Sequence, residues 1–437
     1  MTTKRTRTQA ERDRLQAADS GTEAWRDWGP YVSERAWGTV REDYGEYGSA
    51  WDYFPHDHAR SRTYRWNEDG MAAVCDAQQT WCFGLALWNG ADPILKERIF
   101  GLTGPQGNHG EDVKEYWWYL DSTPTHSWMT WRYHYPQHAF PYGDLVAENA
   151  RRGPGDREYE LVDTGVFDDG RFWAVTVDYA KAAPHDLLAR ITVENRGPDE
   201  ATLDVAPTLW FRNTWAWGLP GQDAVPVIRA WGADLVAEHP THGTLTLVGD
   251  GSPEPLFCDN ETNTERLYGV PGRSPYPKDG INDHIVHGAA TVNPGCIGTK
   301  AALHYKLPVP AGGRQEIVLR LAEDTAPPDD LSSAFAEIGE TRRTEADAFF
   351  AELTPAAATA DEALVLRQAI AGLMWGKQFF HYDVERWLNG DPAGPPPPEA
   401  RRHGRNSNWT HLNNADVISM PDPWEYPWYA AWDLAFH

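Results

Sequence analysis

The chain has 437 residues and a formal net charge of −25, from 64 acidic and 39 basic side chains. Its length exceeds that of one typical domain, so we expect two or more domains and a sizeable core. The negative charge would repel a phosphate backbone or an anionic membrane surface, so we expect no nucleic acid and no membrane as partners. Four cysteines without metal-ligand spacing predict reduced thiols rather than a metal site, and no motif indicates a cofactor.

Residues 1–27 form a basic segment that is predicted to be helical or disordered. It lacks the apolar run of about seven or more residues that a secretory signal requires. No stretch approaches the roughly 18 uncharged apolar residues of a membrane span. These features predict a cytoplasmic protein.

The middle of the chain alternates apolar and polar residues with a period of two. In RFWAVTVDYA, Trp173, Val175, Val177 and Tyr179 alternate with smaller or polar neighbours. The same pattern recurs in DLLARITVENRG, ATLDVAPTLWF, GTLTLVGDG, AALHYKLPVP and RQEIVLRLAED, each bounded by Gly, Pro, Asn or Asp. This spacing predicts a large antiparallel β-sandwich between about residues 30 and 325.

The period then becomes helical. The segment from Leu331 to Leu353 and the segment from Asp361 to Leu388 carry apolar residues at helical spacing, Phe380 among them. The stretch NGDPAGPPPPEARRHGRN lies between these two segments and the C-terminal one. Its four consecutive prolines predict an extended loop, which we place inside the helical domain. A β-rich domain is therefore expected to precede an all-α one, in a two-domain α+β chain.

The last sixteen residues, DPWEYPWYAAWDLAFH, hold the densest aromatic cluster of the chain. Pro427 suits the first turn of a helix on which one face carries Trp428, Trp432 and Phe436 and the adjacent face carries Tyr429, Asp433 and His437. Rings that stack on a pyranose, beside a carboxylate that binds its hydroxyls, predict a sugar site. The alternative is a helix packed into a core, with Asp433 pairing His437. Upstream, Trp409 lies in a polar segment that suits the rim of such a site or a set of helix caps.

Two segments contain histidines and acids that could bind a metal, but neither contains a strict metal-ligand motif. PQGNHGEDVKEYWWYLDSTPTHS contains histidines and acids, but His109 and Glu111 lack the i, i+4 spacing of a helical ligand pair. We expect a long loop whose acids bind backbone and arginine partners. The His56, Asp57 and His58 run is interpreted as an ion-pair and hydrogen-bond node at a domain surface. We expect no metal.

Four long stretches resemble bacterial members of glycoside hydrolase family 63, the group of processing α-glucosidase and mannosylglycerate hydrolase-like enzymes. They are SERAWGTVREDYGEYGSAWDYFPHDHARSR, WNGADPILKERIFGLTGPQGNHGEDVKEYWWYLDSTPTHS, LWFRNTWAWG and the final Trp432-Asp433-x-x-Phe436-His437. The resemblance implies a β-supersandwich over 28–328, linker helices over 329–360 and the incomplete beginning of an (α/α)6 glycosidase barrel over 361–437. It also implies inverting hydrolysis of an α-glycosidic bond by a general acid and a general base.

In the enzymes that this chain resembles, the Trp-Asp pair of the final motif lines the subsite for the non-reducing sugar, and later barrel helices supply the acid and the base. The resemblance therefore implies no catalytic residue in this chain, which is expected to be truncated and inactive alone. The implied ligand is a carbohydrate, an oligosaccharide or a glycosylglycerate. The substrate-binding residues are expected to be Trp432, Asp433, Tyr429, Trp428, Phe436, His437 and Trp409. The alternative is a non-catalytic carbohydrate-binding protein.

Overall fold

A computed structural model describes residues 2–36, 50–108, 112–218, 224–323, 330–392, 394–420, 429 and 431–436. The strands in chain order are β1 (Trp28–Gly29), β2 (Met71–Asp76), β3 (Trp81–Trp88), β4 (Gly101–Leu102), β5 (Asp112–Val113), β6 (Tyr116–Ser122), β7 (Trp128–Pro136), β8 (Phe172–Ala183), β9 (Asp186–Asn195), β10 (Ala201–Phe211), β11 (Val227–Trp231), β12 (Asp234–His239), β13 (Gly243–Gly249), β14 (Glu254–Cys258), β15 (Ile297–Gly298), β16 (Lys300–Val309), β17 (Arg314–Glu323), β18 (Lys377–Asp383) and β19 (Asn413–Ser419).

The α-helices are α1 (Thr2–Asp19), α2 (Ala50–Tyr53), α3 (His56–Ala59), α4 (Tyr142–Arg151), α5 (Thr264–Tyr268), α6 (Gly280–His287), α7 (Leu331–Leu353), α8 (Ala360–Trp375), α9 (Val384–Asn389) and α10 (Ala431–Leu434). Single 3-10 turns cover Gly104–Gln106, Leu161–Thr164, Asp168–Gly170, Trp215–Trp217 and Glu399–His403. Within the described ranges, no helix is long and apolar enough to cross a membrane.

Two large antiparallel sheets form the body of the molecule. One has the strand order β1-β2-β3-β10-β16-β14 and the other β15-β11-β12-β13-β17-β9-β8-β7-β6. Their apolar faces share one core, to which Phe83 and Leu209 contribute from the first sheet and Trp173 and Leu319 from the second. The period-two segments fall on these strands, so the prediction of a large β-sandwich followed by helices, in a two-domain α+β chain, is confirmed. The predicted domain boundaries remain predictions.

Helix α7 covers the outer face of the nine-stranded sheet. Phe335 packs there with Leu188 of β9 and Val318 of β17. Asp330 caps the helix, because its side chain accepts a hydrogen bond from the backbone N–H of Ser333 at 3.0 Å. Helix α8 begins with a capping box in which Thr359 and Glu362 exchange hydrogen bonds. It packs against the edge strand β6.

Three sequence-based expectations are wrong. Helix α8 ends at Trp375 and helix α9 begins only at Val384, so Phe380 lies in strand β18, which pairs with β19. Helix α9 directly precedes the proline-rich loop, and the 3-10 turn Glu399–His403 shows that the loop is not extended throughout. The reason for the strand is that Gly376 interrupts the helix before an aromatic run that buries both of its faces. The segment expected to be a long loop before residue 126 instead contains β5 and β6.

Candidate functional site

The residues predicted from the C-terminal motif are only partly within the described structure. Trp432 lies in α10 and is 79% exposed, and Phe436 just beyond the helix is 74% exposed, with the two ring centroids 6.0 Å apart. Within the described residues, neither ring is packed into a core. Trp428, His437 and the side chain of Asp433 lie outside the described residues. Their predicted roles remain predictions.

Two further predicted residues lie outside α10, one after strand β19 and one before it. Tyr429 is 46% exposed and its ring centroid lies 5.6 Å from that of Phe380 on β18. Phe380 belongs to a buried cluster with Trp66 and Trp217. Trp409 precedes β19, is more than half exposed and lies 5.6 Å from the ring of His411. The structure therefore connects Tyr429 to an aromatic cluster that the sequence analysis did not assign to the site.

This cluster borders two adjoining cavities, which we call the proline cleft. The larger has a volume of about 420 Å³ and the smaller about 170 Å³, and Pro392 is a wall of both. The 3-10 turn at 215–217, helix α5 with the loop that follows it, and the proline-rich loop meet here. The polar and aromatic lining residues are Arg65, Trp66, Trp217, Glu261, Thr262, Thr264, Tyr268, Arg273, Arg386 and Asn389.

Trp217 lines the smaller cavity and contacts two arginines and a histidine. The guanidinium carbons of Arg65 and Arg386 lie 5.0 and 5.4 Å from its ring centroid, and the ring of His381 stacks on it at 5.1 Å. Arg65 also pairs with Asp391 of the proline-rich loop, which ties that loop to the sandwich. The two guanidinium groups favour this orientation of the Trp217 ring, because cations are attracted to the negative face of an aromatic ring.

Glu261 supplies the larger cavity with a carboxyl group. Its Oε1 accepts a hydrogen bond of 2.6 Å from the indole N–H of Trp215. Burial raises its pKa, and the hydrogen bond from Trp215 opposes that rise. Tyr268 and Arg273 line the same cavity and add a phenol and a guanidinium. The arrangement suits a ligand rich in hydroxyl groups, since hydrogen-bond donors and acceptors line the cleft together with aromatic rings.

A second group of buried charges surrounds a much smaller cavity on the outer face of the six-stranded sheet. Burial raises the pKa of Glu68 to about 7 and lowers that of Lys278 to about 8. Nearby, Lys300 pairs with Glu97 at 2.8 Å and Arg98 with Asp69 at 3.2 Å. The cavity measures about 20 Å³, which is room for about one water molecule and not for a sugar. We assign these charges to the packing of the covering loops.

Two of the sequence positions considered for a metal, Asp112 and His56, have other partners in the structure. Asp112 joins Glu158 and Glu160 within reach of one another, but the ammonium of Lys114 lies among them at 2.5, 3.1 and 3.1 Å. His109 and Glu111 lie outside the described residues. His56 contacts the rings of Phe100 and Tyr142 at 5.1 and 5.6 Å, and burial holds its pKa well below the usual value.

The fold and the cleft define the class of this protein. It is a β-sandwich protein with additional helices, and its candidate ligand cleft is lined by aromatic rings and arginines. No protein-family profile matches the chain. It is 40% identical over 475 residues to the uncharacterized protein YMR196W of Saccharomyces cerevisiae, an alignment that covers 98% of the chain and 44% of the yeast protein. The chain thus spans less than half the length of this relative.

Two solved structures show distant likeness. A candidate aldose 1-epimerase from Escherichia coli K12 is 10% identical, with a TM-score of 0.22 and coverage of 48% of this chain and 69% of that one. A candidate kojibiose phosphorylase from the human microbiome is 8% identical, with a TM-score of 0.24 and coverage of 72% and 35%. At these scores neither likeness defines the fold or the function of this chain.

Proposed function

We propose that this chain is the sugar-binding, N-terminal portion of an inverting, exo-acting glycoside hydrolase for an α-linked glucoside or a related sugar. The observation that carries the proposal is the proline cleft. Its aromatic rings and its carboxyl, phenol and guanidinium groups line a space of the size that small-molecule sites have, about 300 to 1,000 Å³. The family resemblance of the motif stretches supports the same substrate class.

The C-terminal motif adds a second group of aromatic side chains. Tyr429 contacts Phe380, which belongs to the same buried cluster as Trp66 and Trp217 at the proline cleft. Trp432 and Phe436 present their rings to solvent, where they are free to stack on a pyranose. In this proposal they grip the non-reducing sugar together with Asp433, and the proline cleft holds the remainder of the ligand.

Catalysis is assigned to residues outside this chain. Inverting hydrolysis requires two carboxyl groups about 6.5 to 9.5 Å apart, one protonating the leaving oxygen and the other activating water. Glu261 lines the proline cleft, and we assign it to hydroxyl binding because the Trp215 indole already orients its Oε1. The acid and the base are proposed to lie on helices of an (α/α)6 barrel that a longer protein, of the length of the yeast relative, would complete.

The test is calorimetric titration of residues 1–437 with methyl α-glucoside, methyl α-mannoside, maltose and glucosylglycerate. We expect saturable binding of at least one glycoside, which Tyr268→Ala and Trp432→Ala each weaken about tenfold, because each removes one stacking or hydrogen-bonding partner. Trp231→Ala is the matched control, since Trp231 is an exposed tryptophan on β11. Absence of binding, or equal loss in the control, would contradict the proposal.

The alternative, a non-catalytic carbohydrate-binding protein, predicts the same binding. Turnover separates the two, because only the first reading predicts sugar release by a polypeptide as long as the yeast relative. Sugar release by residues 1–437 alone would contradict both, and would place the acid and the base within this chain.

A further inference from the structure

Helix α8 is apolar on two opposite sides. Ala371 and Trp375 belong to the shared core, so they mark the side of the helix that packs against β6 and the sandwich. On the other side, Val365 is 60% exposed and Leu373 is 53% exposed. We define the outer face of α8 by its apolar residues, which are Val365, Leu366, Ala369, Ile370 and Leu373. Because an α-helix has about 3.6 residues per turn, these five positions form one continuous stripe.

None of the five residues of the outer face is charged. Arg367 is the one charged residue between Ala363 and Trp375 in the sequence, and its guanidinium is bound to Asp121 on β6 and to Asp347 on α7. Single exposed apolar residues are ordinary on protein surfaces, whereas a contiguous apolar patch marks an interaction surface. A helix that is apolar all round is typical of a buried helix. The outer face of α8 therefore has the composition of a covered surface.

The shape of the outer face suits a second helix. Val365, Ala369 and Leu373 follow one another at i, i+4 and i+8, which is the spacing of the ridges that interlock when two helices pack. The small side chain of Ala369 lies between the two larger ones and leaves a recess for a side chain of the partner helix. A Cβ built on Gly372, beside this stripe, would meet no neighbouring atom within 4 Å, so the space next to the helix is open.

The candidate occupant of this face is another segment of a longer polypeptide. The alignment with YMR196W covers 98% of this chain and 44% of the yeast protein, so more than half of that protein lies outside the aligned part. A segment of the same polypeptide docks without most of the entropy cost of bringing two molecules together. A second copy of this chain is a poorer occupant, because each copy has a net charge of −25 and the two would repel each other.

We propose that the outer face of α8 docks an apolar helix from the part of a longer polypeptide that lies outside residues 1–437. The helix α8 is then buried between this partner helix and the sandwich, and its outer face becomes part of a second core. The inference rests on the proposed function in one respect, which is that the polypeptide is longer than this chain. It requires neither a sugar ligand nor a catalytic residue.

Cysteine labelling measures whether the outer face is covered. Ala369→Cys is made together with Cys296→Ser, which removes the exposed native thiol, since the other three cysteines are buried. In residues 1–437, we expect a polar maleimide to label position 369 as fast as it labels Glu340→Cys, the matched control at an exposed position of α7. In YMR196W, a cysteine at the position aligned with Ala369 should react at least about tenfold more slowly than one aligned with Glu340, because the docked helix must open first.

Leu373→Lys gives an independent readout of the same face. In residues 1–437 it should leave the melting temperature unchanged, because the side chain is already exposed. At the aligned position in YMR196W it should lower the melting temperature by several degrees or prevent folding, because it places a charge in a packed interface.

Three results would overturn the docking surface. They are equal labelling of the two positions in YMR196W, an unchanged melting temperature of the YMR196W lysine variant, and a dimer of residues 1–437 in light scattering in which position 369 is protected. The last result would assign the face to a second copy of the chain. Neither labelling nor melting involves a sugar, so a failure of this proposal can be told apart from a failure of the proposed function.

Discussion

Arg367 on α8 forms a bidentate ion pair with Asp121 at the end of β6, with Nε–Oδ1 and Nη2–Oδ2 distances of 2.9 and 2.5 Å. Nη1 of the same arginine reaches Asp347 on α7 at 2.7 Å. Asp121 also accepts hydrogen bonds from the indoles of Trp128 and Trp375 at 3.0 and 3.1 Å. One aspartate therefore connects the nine-stranded sheet to α8, and through Arg367 to α7.

Arg367→Met should lower the free energy of unfolding by about 2 kcal/mol, because it leaves the carboxylate of Asp121 partly buried without its cation. Urea unfolding followed by circular dichroism measures this. Arg343→Met serves as the control, since Arg343 pairs with Glu340 on the exposed face of α7 and should change stability by no more than about 0.5 kcal/mol. Equal effects of the two variants would argue against the anchoring role of Asp121.

Glu11 fixes the N-terminal helix α1 to the β6–β7 turn. Its buried carboxylate accepts hydrogen bonds from the backbone N–H and hydroxyl of Thr125 at 2.8 Å, from Ser127 at 2.9 Å and from Arg14 at 3.0 Å. Glu11→Ala should cost about 3 kcal/mol of stability because these donors lose their acceptor. Limited proteolysis should then cut α1 sooner, whereas the exposed variant Asp13→Ala should behave as the wild type.

His185 predicts a pH dependence of stability. The pairing of Nε2 with the Asp27 carboxylate at 2.9 Å raises the pKa of His185 to about 9, helped by Glu323 at 2.8 Å from Nδ1 and opposed by burial. A raised folded-state pKa stabilises the fold fully below the unfolded value of about 6.5, and this contribution is lost as the pH rises through 9.

Thermal unfolding of the wild type and of His185→Gln across this pH range checks the prediction. The difference in melting temperature between the two proteins should shrink as the pH rises from 6.5 to about 9. A constant difference would show that His185 does not titrate with these carboxylates.

Trp432→Ala should weaken glycoside binding and leave the stability of the fold almost unchanged. Because the ring is 79% exposed, its removal from residues 1–437 should change the free energy of unfolding by no more than about 0.5 kcal/mol. The same variant should weaken glycoside binding about tenfold through lost stacking. A large loss of stability would mean that Trp432 packs against the fold, and its role as a sugar platform would then be withdrawn.

The strands of the sandwich were predictable because one face of each is buried against the other sheet. On β8, Trp173, Val175, Val177 and Tyr179 all lie in the shared core, as their alternation predicted. Strand β18 was not predictable in the same way. Its residues are buried on both faces, so they show no alternation, and the apolar spacing there fits a helix equally well.

The candidate site was predictable only in its C-terminal motif, where short-range spacing places Trp432 and Phe436 one turn apart, as the ring distance of 6.0 Å shows. The proline cleft combines Arg65, Trp217 and Arg386, which are separated by more than one hundred residues along the chain. The aromatic stretch LWFRNTWAWG offered one signal for it, because it contains Trp215 and Trp217. Nothing in the sequence pairs that stretch with the proline-rich loop.

The sequence by itself determined the β-sandwich, the order of β-rich and helical parts and the charge that disfavours anionic partners. These properties follow from local alternation and composition, which need no knowledge of distant contacts. Only the tertiary structure decided that Arg65 faces Trp217, that Arg367 pairs with Asp121, and that Arg212 contacts His381. Such contacts depend on which strands become neighbours and how loops cover them, and this is set by the packing of the whole chain.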